Sequence, residues 1–302
     1  MPILEKKLSA YMKFARTGMI LIVLMGLIRF FVGVSGVPYE RATHLVSMTN
    51  LTLLLFVIYG HIAAARGFGT YRHLLPTAAA LSIAMYGFII LAILTEGVSG
   101  LHGYFHFHTI QSMAGTLPSG SHVMTMGNVM GHIGGQILVW IPVTFLGWGL
   151  ASLGFLLSPY LAFLRNAFLL VAGFGVFRHV VGAIGVPQVI GTWISSITLL
   201  AMILAVYYGY SAPSHGFHRY WQVIPLGFLI STALNLVVIA GMLIASNFMI
   251  ANYFNPEGVS INQHILAHLV GSIVGTIPFA LLAGIGFAAA RRKPALNSQP
   301  AI

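Results

Sequence analysis

Charged residues are scarce in this chain. Of its 302 residues, 14 are lysine or arginine and 4 are acidic. The charged fraction is therefore 6%, against roughly 25% in an ordinary soluble domain. Hydrophobic residues make up 58% and the mean hydropathy is +0.92, which is more apolar surface than a soluble fold of this size can hide. The composition excludes a soluble enzyme, a nucleic-acid-binding protein and a disordered linker, and it predicts a membrane protein.

Cysteine and aspartate are absent, and the four carboxylates are all glutamates. Without cysteine the chain has no disulfides, thiolate metal sites, thiol nucleophiles or covalently attached c-type haem. Histidine, in contrast, occurs 13 times. Because neutral imidazole is the commonest metal ligand in proteins, any metal site in this chain is expected to rely mainly on histidine.

Eight stretches are long and apolar enough to cross a bilayer, which takes about 20 residues. They cover residues 17–37, 45–65, 75–95, 126–156, 160–185, 188–209, 222–246 and 262–290. A long, almost uncharged loop of residues 96–125 follows the third stretch, and no linker or convincing internal repeat is visible. We therefore expect an all-α helix bundle forming a single integral-membrane domain over residues 1–302, with short tails at 1–16 and 291–302.

The basic residues predict the orientation of this bundle. With eight spans both termini lie on one side, and eleven of the fourteen lysines and arginines fall on that side. Cytoplasmic loops are enriched in basic residues, so both termini are expected in the cytoplasm, with the chain in the cytoplasmic (inner) membrane. The first stretch lacks a cleavage site and is expected to be retained as a helix.

The predicted topology places nine of the thirteen histidines in the outer half of the membrane. The outer loop carries the densest group, with His102, His106 and His108 beside Glu96, and His122 further on. In a helix His102 and His106 would share one face, and in a strand His106 and His108 would do so. Either arrangement predicts metal or haem ligation, although an interfacial aromatic segment has the same composition.

Three further histidines are predicted inside the spans. His264 and His268 have the i, i+4 spacing that places two ligands on one helical face, and hydrogen bonding to neighbouring carbonyls is the alternative. His132 lies among glycines that let a helix or a flat macrocycle approach closely. Methionines near His132 suit copper(I), but methionine is also a common core filler.

Three arginines near the outer face suggest an anionic partner. Arg29 and Arg178, the latter next to His179, lie within or near the hydrocarbon, where a charge is expensive unless it is paired. Arg41 lies just outside. A haem propionate or a lipid phosphate would supply the missing charge, and snorkelling of the side chain to the interface is the alternative.

The segment Tyr39-Glu-Arg41-Ala-Thr-His44 resembles the start of the second helix in the large subunits of haem-copper oxidases and nitric oxide reductases. The resemblance implies that His44 ligates a low-spin haem b and that Arg41 contacts a propionate. The pair His106-x-His108 is similar to that family's His-x-His. The chain has fewer spans than this family and no His-His dipeptide. Spaced histidines also resemble those of di-iron membrane hydroxylases, whose boxes lie on the cytoplasmic side.

These patterns favour a membrane redox protein with a His-ligated metal or b-type haem in its outer half. The expected ligands are His44, His102, His106, His108, His132, His264, His268 and Glu96, with Arg41, His122, Arg178 and His179 contacting a cofactor. Haem b, copper or iron is the expected cofactor, and a quinone or other redox subunits are expected partners. The alternatives are a transporter or channel, for which Pro142 and Pro278 would interrupt helices, and a non-catalytic subunit of a respiratory complex.

Overall fold

The computed structural model describes residues 6–39, 47–106, 125–248, 253–254 and 261–292. Its eleven α-helices are α1 (Leu8–Val34), α2 (Met48–Ala65), α3 (Leu74–Ser99), α4 (Met126–Leu156), α5 (Ser158–Phe163), α6 (Arg165–Ala183), α7 (Gln188–Ile194), α8 (Ile197–Ser211), α9 (Val223–Phe248), α10 (Ile261–Val274) and α11 (Thr276–Arg292). Within the described ranges, eight helical segments are long and apolar enough to cross a membrane. The predicted all-α membrane bundle of about eight spans is confirmed.

The contacts divide the chain into two compact units, residues 1–158 and residues 159–302. In the first unit, α4 packs along α2 and α3, and α1 packs against α3. In the second unit, α11 packs along α8 and α9, and α6 and α10 pack against α9. Each unit therefore contains four membrane-spanning segments with the same pattern of packing.

Two of the four spans in the second unit are divided into shorter helices. The sixth span breaks between α7 and α8 at Ser195 and Ser196, and the eighth breaks between α10 and α11 at Gly275. Pro278 lies in the first turn of α11, where its missing N–H costs little. In contrast, α4 runs through Pro142 without a break, so the prediction that this proline interrupts the fourth span is wrong.

Positions in the first unit have structural equivalents in the second unit. This repeat was not predicted from the sequence. Equivalent residues lie 149 positions apart in the first three spans and 132 positions apart in the fourth. The backbone N–H of Gly18 donates to the hydroxyl of Tyr59 over 2.7 Å. The equivalent residues of the second unit are Ala167 and Tyr208, and both are buried.

The closest helix crossing is repeated as well. In the first unit Gly60 lies against the carbonyl of Ala151, and Gly154 lies against that of Val57. The same contacts recur in the second unit, from Gly209 to Ala283 and from Gly286 to Val206. A side chain at any of these four glycines would occupy the space of a backbone oxygen, so the crossing requires glycine in both units.

Candidate functional site

An arginine lies among aromatic rings in the first unit. The guanidinium of Arg29, on α1, lies 5.7 Å from the ring centroids of Tyr39 and Tyr104 and 5.6 Å from that of Phe105. These distances allow cation–π attraction to each ring face. The Tyr104 hydroxyl donates to the carbonyl of Val37, which fixes the ring beside the arginine.

The second unit builds the same arrangement. The guanidinium of Arg178, on α6, lies 5.5 Å from the centroid of Tyr253 and 5.3 Å from that of Phe254. The Tyr253 hydroxyl donates to the carbonyl of Val186. Arg178 also donates to the carbonyl of Ser195 over 3.3 Å, at the break between α7 and α8.

A short repeated motif places each arginine and each tyrosine partner. The sequence Arg-x-x-Val-Gly-x-x-Gly-Val-Pro occurs at residues 29–38 and again at residues 178–187. Its second glycine ends the turn with φ of +80° at Gly36 and +79° at Gly185, a conformation that favours glycine. The valine that follows presents the carbonyl to which the tyrosine donates. The motif therefore joins the arginine to the loop that holds its aromatic partner.

Each arginine lines a cavity within its own unit, of about 300 Å³ in the first unit and about 340 Å³ in the second. Nine pairs of equivalent positions line both cavities: Arg29 and Arg178, Ser47 and Ser196, Met48 and Ile197, Thr49 and Thr198, Ile89 and Val238, Tyr104 and Tyr253, Phe105 and Phe254, His132 and His264, and Gln136 and His268. These volumes lie at the small end of the range for ligand pockets, about 300–1,000 Å³.

The described lining of both cavities carries positive charge. One arginine lines each cavity, and the described lining residues include no carboxylate. Each cavity also meets the amino terminus of a helix, α2 at Ser47 and α8 at Ser196. The two serine side chains cap these helices by accepting the N–H groups of Asn50 and Leu199. Helix amino termini carry a partial positive charge, so they and the arginines favour an anionic ligand.

His132, which lines the cavity of the first unit, lies beside a second histidine, His106. Nδ1 of buried His106 lies 3.3 Å from Nδ1 of half-buried His132. Nε2 of His132 lies 3.2 Å from the amide nitrogen of Gln136. The structure brings together two of the predicted ligands, His132 from the span and His106 from the outer loop. Ligation of a metal by them stays a prediction.

The second unit has two histidines at its cavity. The rings of His264 and His268 stack with centroids 4.9 Å apart. Nδ1–H of His268 donates to Oδ1 of Asn235 over 2.7 Å. His264 is equivalent to His132, and His268 is equivalent to Gln136. The first cavity is therefore lined by one imidazole and the second by two.

Glu96 holds the loop that carries two of these residues. The buried carboxylate accepts the backbone N–H groups of Phe105 over 3.1 Å and of His106 over 2.7 Å. Gly103 lies directly against the carboxylate, where a side chain would collide with it. A charged acceptor makes strong hydrogen bonds, so Glu96 positions the start of the outer loop.

The other predicted site residues are placed as follows. His44, Arg41, His108 and His122 lie outside the described residues. His102 is exposed, and it does not lie in a helix with His106, because residues 101–106 form an irregular segment and a turn after α3. His179 stacks on Phe254 at 6.4 Å between centroids and is not among the residues that line the Arg178 cavity. Among the described residues, no three histidine or glutamate side chains gather closely enough to hold a metal ion.

The sequence reasoning left Arg29 open between an anionic partner and snorkelling and did not place it among the site residues, and it missed the aromatic partners of both arginines. Within one apolar stretch no tyrosine or phenylalanine stands out from the others. The signal that would have found them is recurrence at a spacing of 149 residues, which relates the Arg-x-x-Val-Gly-x-x-Gly-Val-Pro motif at 29–38 to that at 178–187 and the Tyr-Phe pair at 104–105 to that at 253–254. No family model, no curated protein and no solved structure matches this chain.

Proposed function

We propose that the chain is a carrier for a small anionic solute, which it binds in the two repeated cavities. The observation that carries the proposal is the duplicated cavity, with one arginine held by aromatic rings and one capped helix terminus in each copy. A structural salt bridge or a snorkelling side chain would not explain why six of the nine paired lining positions carry the same residue in both units. A binding role for both cavities does.

The divided sixth span in the second unit supports transport of the solute rather than its storage. Many transporters bind anionic groups near the membrane centre at discontinuous helices, whose half-helix amino termini point at the substrate. The break between α7 and α8 has this form, since Ser196 begins the second half at the cavity and Arg178 bonds to the carbonyl of Ser195. As part of the proposal, the chain lies in the cytoplasmic membrane with both termini in the cytoplasm.

The experiment combines ligand binding with transport. Purified protein is heated with acetate, pyruvate, succinate, phosphate or chloride as probes, and a binding anion raises the unfolding temperature. Uptake of the most stabilising anion is then measured in proteoliposomes. Arg178→Gln is expected to lower binding at the second cavity at least tenfold, because hydrogen bonds to charged groups contribute about 1.5–3 kcal/mol.

Two variants make this test specific. Arg165→Gln removes the same charge from the exposed start of the same helix and is expected to bind as the unaltered protein does. Arg178→Lys keeps the charge but loses the planar guanidinium that contacts both rings, so it is expected to bind more weakly. The proposal fails if none of the five anions stabilises the protein, or if Arg165→Gln and Arg178→Gln weaken binding equally.

A second candidate function is redox chemistry at a histidine-bound metal or haem. Its support is the 3.3 Å between the Nδ1 atoms of His106 and His132. Two metal–nitrogen bonds of about 2.0–2.1 Å at a tetrahedral angle span about this distance. An absorption spectrum and metal analysis of the purified protein test it. Absence of both a Soret band and bound copper or iron would contradict this candidate.

A further inference from the structure

A groove runs along the lipid-facing side of α1, away from the cavity that Arg29 lines. Its volume is about 690 Å³, and its walls are apolar apart from Lys13 and Arg16. Ile20 and Leu24, which line it further along α1, are 47% and 49% exposed. The small side chain of Ala84, on α3, forms the opposite wall. The groove thus has a basic end and a long apolar part.

The length of α1 places the basic end at the level of the lipid headgroups. Its 27 residues span about 40 Å, whereas the hydrocarbon is about 30 Å thick. The helix therefore extends beyond the hydrocarbon, and Lys13 and Arg16 lie near its amino-terminal end. From Met12 to Leu24 the groove runs about 18 Å along the helix, close to the depth of one leaflet, about 15 Å.

The described charged residues at this end of the first unit are all basic. Lys13 and Arg16 are three residues apart and share one face of α1, and both are exposed. Lys7, Arg66 and Arg72 are exposed nearby in sequence and on the adjacent connection. Among the described residues Glu96 is the sole carboxylate, and it lies at the opposite end of α3. The groove is therefore complementary to a negative headgroup.

We infer that this groove binds an acidic phospholipid, with its phosphate between Lys13 and Arg16 and an acyl chain along Ile20 and Leu24. Basic residues at the membrane surface each contribute about 1 kcal/mol of attraction to acidic lipids, and the apolar groove adds contact with the chain. A zwitterionic lipid fits the apolar part equally well but gains little from the two cations. The site is separate from the proposed anion cavities.

Native mass spectrometry of the full chain in detergent tests the site with phosphatidylglycerol and phosphatidylcholine of identical chains. The unaltered protein is expected to retain phosphatidylglycerol preferentially. Lys13→Gln with Arg16→Gln is expected to weaken that binding about 30-fold, from the loss of two cations. Arg291→Gln with Arg292→Gln removes the same charge at the end of α11 and is expected to change binding little.

A groove-filling variant separates a defined site from general attraction to a basic surface. Ile20→Trp keeps every charge and occupies the groove from an exposed position, so it is expected to lose the bound lipid. The inference is overturned if phosphatidylcholine binds as tightly as phosphatidylglycerol, if the two charge-removing variants weaken binding equally, or if Ile20→Trp binds as the unaltered protein does.

Discussion

At the scale of single residues, the two tyrosine hydroxyls connect the aromatic partners of the arginines to the turns that precede them. Tyr104 donates to Val37, and Tyr253 donates to Val186. Both donors are separated from their acceptors by 67 positions in the sequence. Each bond therefore closes a long loop and holds a ring at the cavity, which local helix propensity cannot do.

Removing these hydroxyls is expected to lower stability by similar amounts in the two units. Tyr104→Phe and Tyr253→Phe each lose one hydrogen bond and leave a carbonyl without its partner, which costs about 1 kcal/mol or slightly more of the free energy of unfolding. Thermal unfolding in detergent measures the change. Tyr71→Phe, at a residue that is 48% exposed, serves as the control, and equal effects of all three substitutions would contradict the structural role.

Glu96 acts through the backbone, and this role has a direct test. In Glu96→Gln the side chain keeps one accepting oxygen, so the amides of Phe105 and His106 cannot both be bonded as they are to the carboxylate. Hydrogen exchange at these two amides is expected to rise tenfold or more, since each bond to a charged group contributes about 1.5–3 kcal/mol. Thr95→Ala, on the same helix, is expected to leave their exchange unchanged.

At the scale of helices, the tightest crossing in each unit depends on glycines that meet backbone carbonyls. Bilayer lipid offers no hydrophobic drive for helix association, so such close packing is what holds the spans together. Gly60→Ala is expected to destabilise the protein by about 1–3 kcal/mol, because the new methyl group displaces α4. Unfolding in increasing dodecyl sulfate measures this change.

A glycine on α4 that lies outside this crossing provides the comparison with Gly60→Ala. Gly149 has no neighbour within 4 Å of the position a methyl group would take. Gly149→Ala is therefore expected to be neutral, or stabilising by up to about 1 kcal/mol through higher helix propensity. If Gly60→Ala unfolds at the same dodecyl sulfate concentration as Gly149→Ala, the crossing is not the constraint described above.

The positions of the membrane-spanning segments were predictable, because each must contain about 20 mostly apolar residues, and such stretches can be recognised in the sequence. The division of two of these segments into shorter helices was harder to predict. At the break the carbonyl of Ser195 accepts a hydrogen bond from Arg178, which lies on another helix and is distant in the sequence. At Pro142 the helix continues, which shows that proline by itself does not locate a break in a span.

At the scale of the whole chain, the repeat predicts two binding events. If each cavity takes one anion, the full chain binds two, and Arg29→Gln and Arg178→Gln each leave one. The double variant is expected to bind none. Isothermal titration with the most stabilising anion of the panel measures the stoichiometry. A stoichiometry of one that either substitution abolishes would contradict independent cavities.

The site itself could be predicted only in part from the sequence. Arg178, His132, His264 and His268 were recognised, because charged and titratable residues inside apolar stretches are costly and therefore conspicuous. Tyr104 and Phe105 were not, because aromatic residues are common at membrane interfaces whatever their role. The repeat was not predicted either, because the spacing between equivalent residues of the two units changes from 149 to 132 positions before the fourth span. The loops that precede this span differ in length between the units.

The Arg-x-x-Val-Gly-x-x-Gly-Val-Pro motif has a consequence for where related architecture would be found. The contacts of its arginine with the aromatic rings and of its valine carbonyl with the tyrosine lie within a single four-span unit, so we expect one copy to specify one cavity. Proteins of about half this length with a single copy would then be the simplest form of the fold, and two such chains would supply what the present polypeptide encodes in tandem. A search of genome sequences for short, apolar chains with this ten-residue signature would identify them.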